Sequence, residues 1–242
     1  MRFDQSKGKT NRKKFFYGYP SFVWVKTKRK NPKGTRWGCF MKRNSFTSKQ
    51  IAGLGVLLAL VIALQSFSAV IPLGTLLNFA LVPIVLGAIM FGPIAGAFLG
   101  LGCGIVVLAQ VVAGGSPFYI LIWTNDPIAT ALTCLVKTTV AGYVSGWLYA
   151  ILQKKNKLVA TFVSAGIVPV LNTSLFIVGC LFMTNSVYRM AQSDGQNILI
   201  FILVGLVGFN FFFEFAFNLL FSPAIHRVIT IVQKSFKGFK GK

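Results

Sequence analysis

From Ile51 onward the chain alternates long apolar runs with short polar or Gly/Pro-containing breaks. The runs fall at about Ile51–Ile71, Leu76–Gln110, Ile128–Leu152, Leu158–Met183 and Asn197–Phe221. One bilayer crossing takes about 20 apolar residues. Leu76–Gln110 carries no charge in 35 residues, too many for one crossing, and Gly92-Pro93 lies inside it. Proline opens a helix well and continues one badly, so this run reads as two helices joined in a hairpin. The pattern predicts an all-α membrane protein, a bundle of six transmembrane helices over residues 51–231. Pro72 ends the first span, and Pro169 lies inside the fifth.

Small residues follow a period within the spans. Gly92, Gly96, Gly100 and Gly104 repeat at four-residue spacing on one helix face, as do Gly55, Ala59 and Ala63 on the first span. In lipid, such faces let helix backbones approach closely, because packing takes the place of the hydrophobic effect. The segment Ser116–Pro127 is aromatic and bracketed by Pro117 and Pro127, which suits an interfacial lid.

Composition agrees: the chain is 55% hydrophobic with mean hydropathy +0.69. Its 25 Lys and Arg face only four acids, Asp4, Asp126, Asp194 and Glu214, for a net charge of +21. Such a charge alone would fit nucleic acid. Its distribution fits a membrane better, since 15 of the 25 basic residues precede position 51 and most others flank apolar runs, where cations meet anionic headgroups. Residues 1–50 form a basic, flexible extension with interleaved aromatic residues, suited to a lipid surface or to base stacking. Met41-Lys42-Arg43 also resembles the short basic lead of a first membrane helix, so Met41 is a candidate native start. Basic residues cluster in this extension, at Lys154, Lys155 and Lys157, and in the tail 232–242, whereas the opposite loops hold only Arg189. By the positive-inside rule both termini and the Gly92-Pro93 turn are cytoplasmic.

The candidate chemistry lies in the few polar residues of the spans. At about 1.5 Å per residue, Asn78 and Gln110 fall near the outer face, with Asn125 and Asp126 just above it. Lys137 lies roughly 15 Å below that face, and Asn172 comes to a similar depth. An intramembrane lysine costs a few kcal/mol and marks a functional site by default. By the same count Glu214 lies roughly 10 Å deeper than Lys137, so a direct pair is not expected. Asn210, Glu214 and Asn218, spaced by four, read as interhelical glue. Cys39, Cys103, Cys134 and Cys180 show no metal spacing, and His226 follows the last run beside Arg227. No metal, disulfide or cofactor is assigned.

The segments Asn78-Phe79-Ala80-Leu81-Val82-Pro83-Ile84 and Gly92-Pro93-Ile94-Ala95-Gly96, followed by Asp126-Pro127, resemble the S components of energy-coupling factor vitamin importers. The likeness covers about Gln50 to Ile231. It implies a subunit that binds a vitamin from outside and works with a transmembrane T component and two ATPases in a bacterial plasma membrane. The family's Ala-x-x-x-Ala motif, which contacts the T component, corresponds to Ala59 and Ala63, with Gly55 extending it. No Gly-x-x-x-x-Gly-Lys-Ser/Thr motif is present, so ATP hydrolysis falls to partners. Lys137 favours an anionic vitamin, pantothenate or folate, and pantothenate suits a small polar pocket better. Lys137, Asn172, Gln110, Asn78, Tyr119, Trp123, Asn125 and Asp126 are the expected substrate-binding residues, with nucleic acid excluded as a partner. A membrane enzyme lacks the acids or Ser-His pair it needs. An autonomous secondary transporter using Asn210 and Glu214 is the alternative, against which stands the lack of an inverted repeat.

Overall fold

A computed structural model describes residues 24–29, 36–41, 48–70, 78–183, 187, 189, 191–192 and 197–238. Within the basic extension, β1 (Trp24–Arg29) and β2 (Arg36–Met41) pair antiparallel, from Trp24 opposite Met41 to Arg29 opposite Arg36. The sequence reading gives no strands there. From Ser48 onward every described element is helical: α1 (Ser48–Val70), α2 (Leu81–Phe91), α3 (Pro93–Val112), α4 (Pro117–Asn125), α5 (Pro127–Leu152) and α6 (Lys157–Phe182). Then comes α7 (Ile198–Ile200), which passes through a π-helical stretch, Phe201–Gly208, into α8 (Phe209–Gly238).

Four described helical segments are long and apolar enough to cross a membrane: Gln50–Ser68, Pro93–Val112, Pro127–Leu152 and Lys157–Phe182. Their outward faces carry exposed Val56, Phe67, Phe98, Ile105, Ile128, Leu132 and Phe182. In water such a surface would be an aggregation liability; in lipid it is the solvated side. Residues 187, 189, 191 and 192 are also helical.

The apolar run before Gly92 behaves differently from expectation. Its described helix, α2, has 11 residues, which is about 16 Å at helical rise and roughly half of the hydrocarbon thickness. As described it covers only part of a crossing, and it packs inside the bundle: Leu81, Ile84, Val85 and Ala88 are fully buried, and α2 touches α1, α3, α5, α6 and α8. An apolar run reads alike whether lipid or protein surrounds it, which is why the sequence did not separate the two.

The Gly92-Pro93 break does form the expected helical hairpin. Gly92 has φ 99°, a conformation glycine adopts without the cost other residues meet. Its N–H donates to Ala88 O at 3.0 Å, and Pro93 takes the first position of α3.

The glycine face of α3 meets α5 backbone to backbone. A Cβ added at Gly96 would strike the Gly142 carbonyl, one at Gly100 the Thr138 carbonyl, and one at Gly104 would lie 2.7 Å from Cys134 O. Beyond the turn, Gly146 packs on Pro93 in the same antiparallel register. This seam fixes α5, and with it Lys137, against the hairpin. Gly100→Ala is therefore expected to destabilise by about 1–3 kcal/mol through overpacking, read as a lower melting temperature in detergent. Gly55→Ala is the control, since nothing lies within 4 Å of a Cβ there; it should be neutral or slightly stabilising.

A second set of polar contacts joins α5, α6 and α8. Ser145 Oγ donates to Ser164 O at 3.0 Å, and Thr161 Oγ1 lies 3.4 Å from His226 Nδ1; within α8, Asn218 Nδ2 donates to Glu214 O at 2.9 Å.

Candidate functional site

Between α1, α3, α4, α5, α6 and the last helical run lies a pocket into which most of the intramembrane polar side chains converge. The α3–α5 seam sets one wall. Lys137 stands on α5 next to Thr138, whose carbonyl abuts Gly100, so the close glycine contact determines where the ammonium is held. Its Nζ lies 4.9 Å from the centroid of the Phe176 ring, within cation–π range. Asn172, 5% exposed, comes from α6, one helical turn before Phe176. Lys137 lies ten residues from the Pro127 end of α5 and Asn172 ten from the Phe182 end of α6, which agrees with the equal depths expected.

Glu214 also lines the pocket. Its Oε1 accepts the Asn78 backbone N–H at 2.9 Å, and Asn172 lines the pocket with it. Lys137 acts on the same carboxylate through space. Lys137 and Glu214, for which the sequence count gives a depth difference of roughly 10 Å, line one pocket. That count took every residue from Asn197 as a full α-helical step, whereas Phe201–Gly208 is π-helical, with wider turns and less descent per residue, which narrows the difference only slightly. π-Helical turns are frequent at functional sites, and this one delivers Val207 and, just after it, Asn210 to the pocket.

A layer of amides closes the pocket on the α1 side. Gln65 Nε2 donates to Gln110 Oε1 at 3.3 Å, and Gln110 Nε2 donates to Gln65 O at 3.0 Å. The Cys103 thiol sits 3.8 Å from both Gln65 Oε1 and Asn78 Oδ1.

The segment read as a lid is a short helix, α4, started by Ser116, whose Oγ accepts the Tyr119 N–H at 3.2 Å. It turns Phe118, Tyr119 and Ile122 toward the pocket. Thr130 fastens its far end, donating to Ile122 O at 3.0 Å. Burial pushes the Tyr119 phenol up to about 12, so it remains a neutral hydroxyl at physiological pH.

Of the eight residues expected to bind substrate, the structure brings Lys137, Asn172, Asn78 and Tyr119 into the pocket lining. The other four lie outside it. Gln110 stands behind Gln65, and Trp123 packs against the core. Asn125 is exposed with its Nδ2 bonded to Leu121 O at 2.8 Å, and Asp126 joins α4 to α5. Sequence reasoning passed over Gln65, and read Asn210 and Glu214, which line the pocket, as interhelical glue. Gln65 had a usable signal, as an amide in an apolar run at the same end as Asn78 and Gln110. Asn218, fourth in from Glu214, does not line the pocket.

A family model described as ECF transporter, substrate-specific component, matches residues 49–225. The chain belongs to this family. Comparison with curated proteins finds no match. As an S component, the protein is a multi-pass membrane subunit that binds a small-molecule substrate for transport, and its substrate-specific surface is sought in the pocket described above. The helical region from Ser48 onward coincides with the match, whereas β1 and β2 precede it.

The small-residue stripe of α1 lies away from this pocket. Gly55, Ala59 and Ala63 are all exposed, among exposed Val56, Leu60, Ile62 and Phe67. A flat strip of this kind accepts another helix at close range.

Proposed function

We propose that this S component captures an anionic vitamin, pantothenate or folate, from outside a bacterial plasma membrane. Pantothenate suits the small polar pocket better. Uptake is energised by a transmembrane T component and two ATPase subunits, with both termini cytoplasmic and the bundle completing six crossings. The observation that carries this reading is Lys137. Its ammonium sits in a pocket walled by Phe176 and neutral amides and hydroxyls, and the nearest carboxylate there, Glu214, already accepts the Asn78 N–H. A buried ammonium with room for a ligand acid forms a strong charge-assisted bond with it. On this reading Lys137, Asn172, Asn78 and Tyr119 contact cargo. Gln110, Trp123, Asn125 and Asp126 support the pocket and its lid from outside. Gly55, Ala59 and Ala63 dock the T component.

Native mass spectrometry of the detergent-purified chain, followed by extraction of bound small molecules, tests the reading. A stoichiometric anionic vitamin is the expected result. A neutral vitamin would move Lys137 into an internal network with Glu214. An empty protein that also ignores a vitamin panel would favour an autonomous transporter, since Asn210 and Glu214 both line the pocket. Copurification with ATPase subunits separates that alternative, because a lone transporter works without them.

A further inference from the structure

Lys137 and Glu214 both line the pocket, and beside Glu214 it holds acceptors beyond what the protein fills. Glu214 is 6% exposed, and its carboxyl oxygens offer about four lone-pair positions to donors. The Asn78 N–H occupies one of these on Oε1. Asn172 lines the same pocket, and its buried Oδ1 has no hydrogen-bond partner among the described residues. Buried acceptors in native proteins are satisfied by something, and here the ligand space is adjacent.

We infer that Glu214 and Asn172 form a donor-reading wall: the cargo is a carboxylate that also carries hydroxyl or N–H donors at its other end, with its acid on Lys137. The inference rests on the anionic-cargo reading and adds to it the chemistry of the far end. It makes Glu214 a substrate-binding residue and not interhelical glue. It also gives the ligand a fixed direction, since swapping its ends would set acid against Glu214 and donors against an ammonium. A simple fatty acid or an undecorated short carboxylate satisfies Lys137 alone and leaves Asn172 Oδ1 buried and unpaired.

Isothermal titration of the full chain in detergent with two probes tests this. The probes are pantothenate and 3,3-dimethylbutanoyl-β-alanine, which keeps the carboxylate, amide and branched carbon skeleton but lacks both hydroxyls. The unsubstituted chain is expected to bind pantothenate about 10- to 100-fold more tightly, the loss that follows when buried acceptors lose their donors. Asn172→Leu should shrink that preference to about threefold or less by weakening pantothenate alone. Lys137→Met should weaken both probes alike. Equal binding of the two probes by the unsubstituted chain overturns the donor-reading wall and leaves the anionic reading standing. Binding of neither overturns pantothenate as cargo and this inference with it. The two-probe comparison needs no variant, so a misfolded Asn172→Leu cannot obscure it.

Discussion

Lys137→Met is expected to lower affinity for the copurifying vitamin by about 30-fold to several thousand-fold. Truncating one partner of a buried, hydrogen-bonded charge pair costs about 2–5 kcal/mol, and each 1.4 kcal/mol is a factor of ten. Methionine keeps the length and apolar stem of the side chain, so the Phe176 contact retains its packing while the charge is removed. The variant should fold at least as well as the parent, because an intramembrane ammonium costs a few kcal/mol to insert. Titration of the purified variant, with its melting temperature as the folding control, makes the measurement. Unchanged affinity would sink the anionic reading. A large loss of affinity with an undiminished melting temperature assigns Lys137 to the ligand and not to the bundle.

The second large effect concerns α1. Ala59→Trp or Ala63→Trp should abolish energised uptake in cells or proteoliposomes while leaving ligand affinity within about twofold of the parent. The indole adds bulk to an exposed strip whose neighbours, Val56 and Ile62, also face outward. It can be accommodated in lipid but not in a tight helix-to-helix contact. Gln65, the α1 residue that lines the pocket, lies beyond Ala63 and keeps its own bonds to Gln110. Should binding fall along with uptake, the strip would be packing that supports the pocket, and no docking surface would be needed to account for it.

How much of this was legible beforehand varied by element. Long helices announced themselves: α1, α5 and α6 begin and end within three residues of the apolar runs read from the sequence. The glycine ladder on α3 also read correctly as a close-packing face, because a four-residue period of small side chains has few other uses in lipid. The interior position of α2 was not legible, since nothing in an apolar run says which solvent surrounds it. Nor was the π-helical stretch before Asn210: Phe201–Gly208 is uniformly apolar apart from its glycines and carries no breaker that would mark a change of helix type. Lys137 and Asn172 were placed together because both lie on unbroken helices counted from the same membrane face. Asn125 and Asp126 were polar for a local reason, at the junction of α4 and α5.

The seam between α3 and α5 has one more consequence. Two helices in backbone contact at Gly96, Gly100 and Gly104 have no side-chain layer between them to shear, so they behave as a single stiff plate. Lys137 is mounted on that plate, and the hairpin turn at Gly92 belongs to it. Rearrangement of the pocket therefore falls to the parts outside it, chiefly α4, a single short helix tethered at Ser116 and Thr130. The plate works as a keel: if the whole protein tilts in the bilayer, the ammonium and the wall behind it travel without being rebuilt.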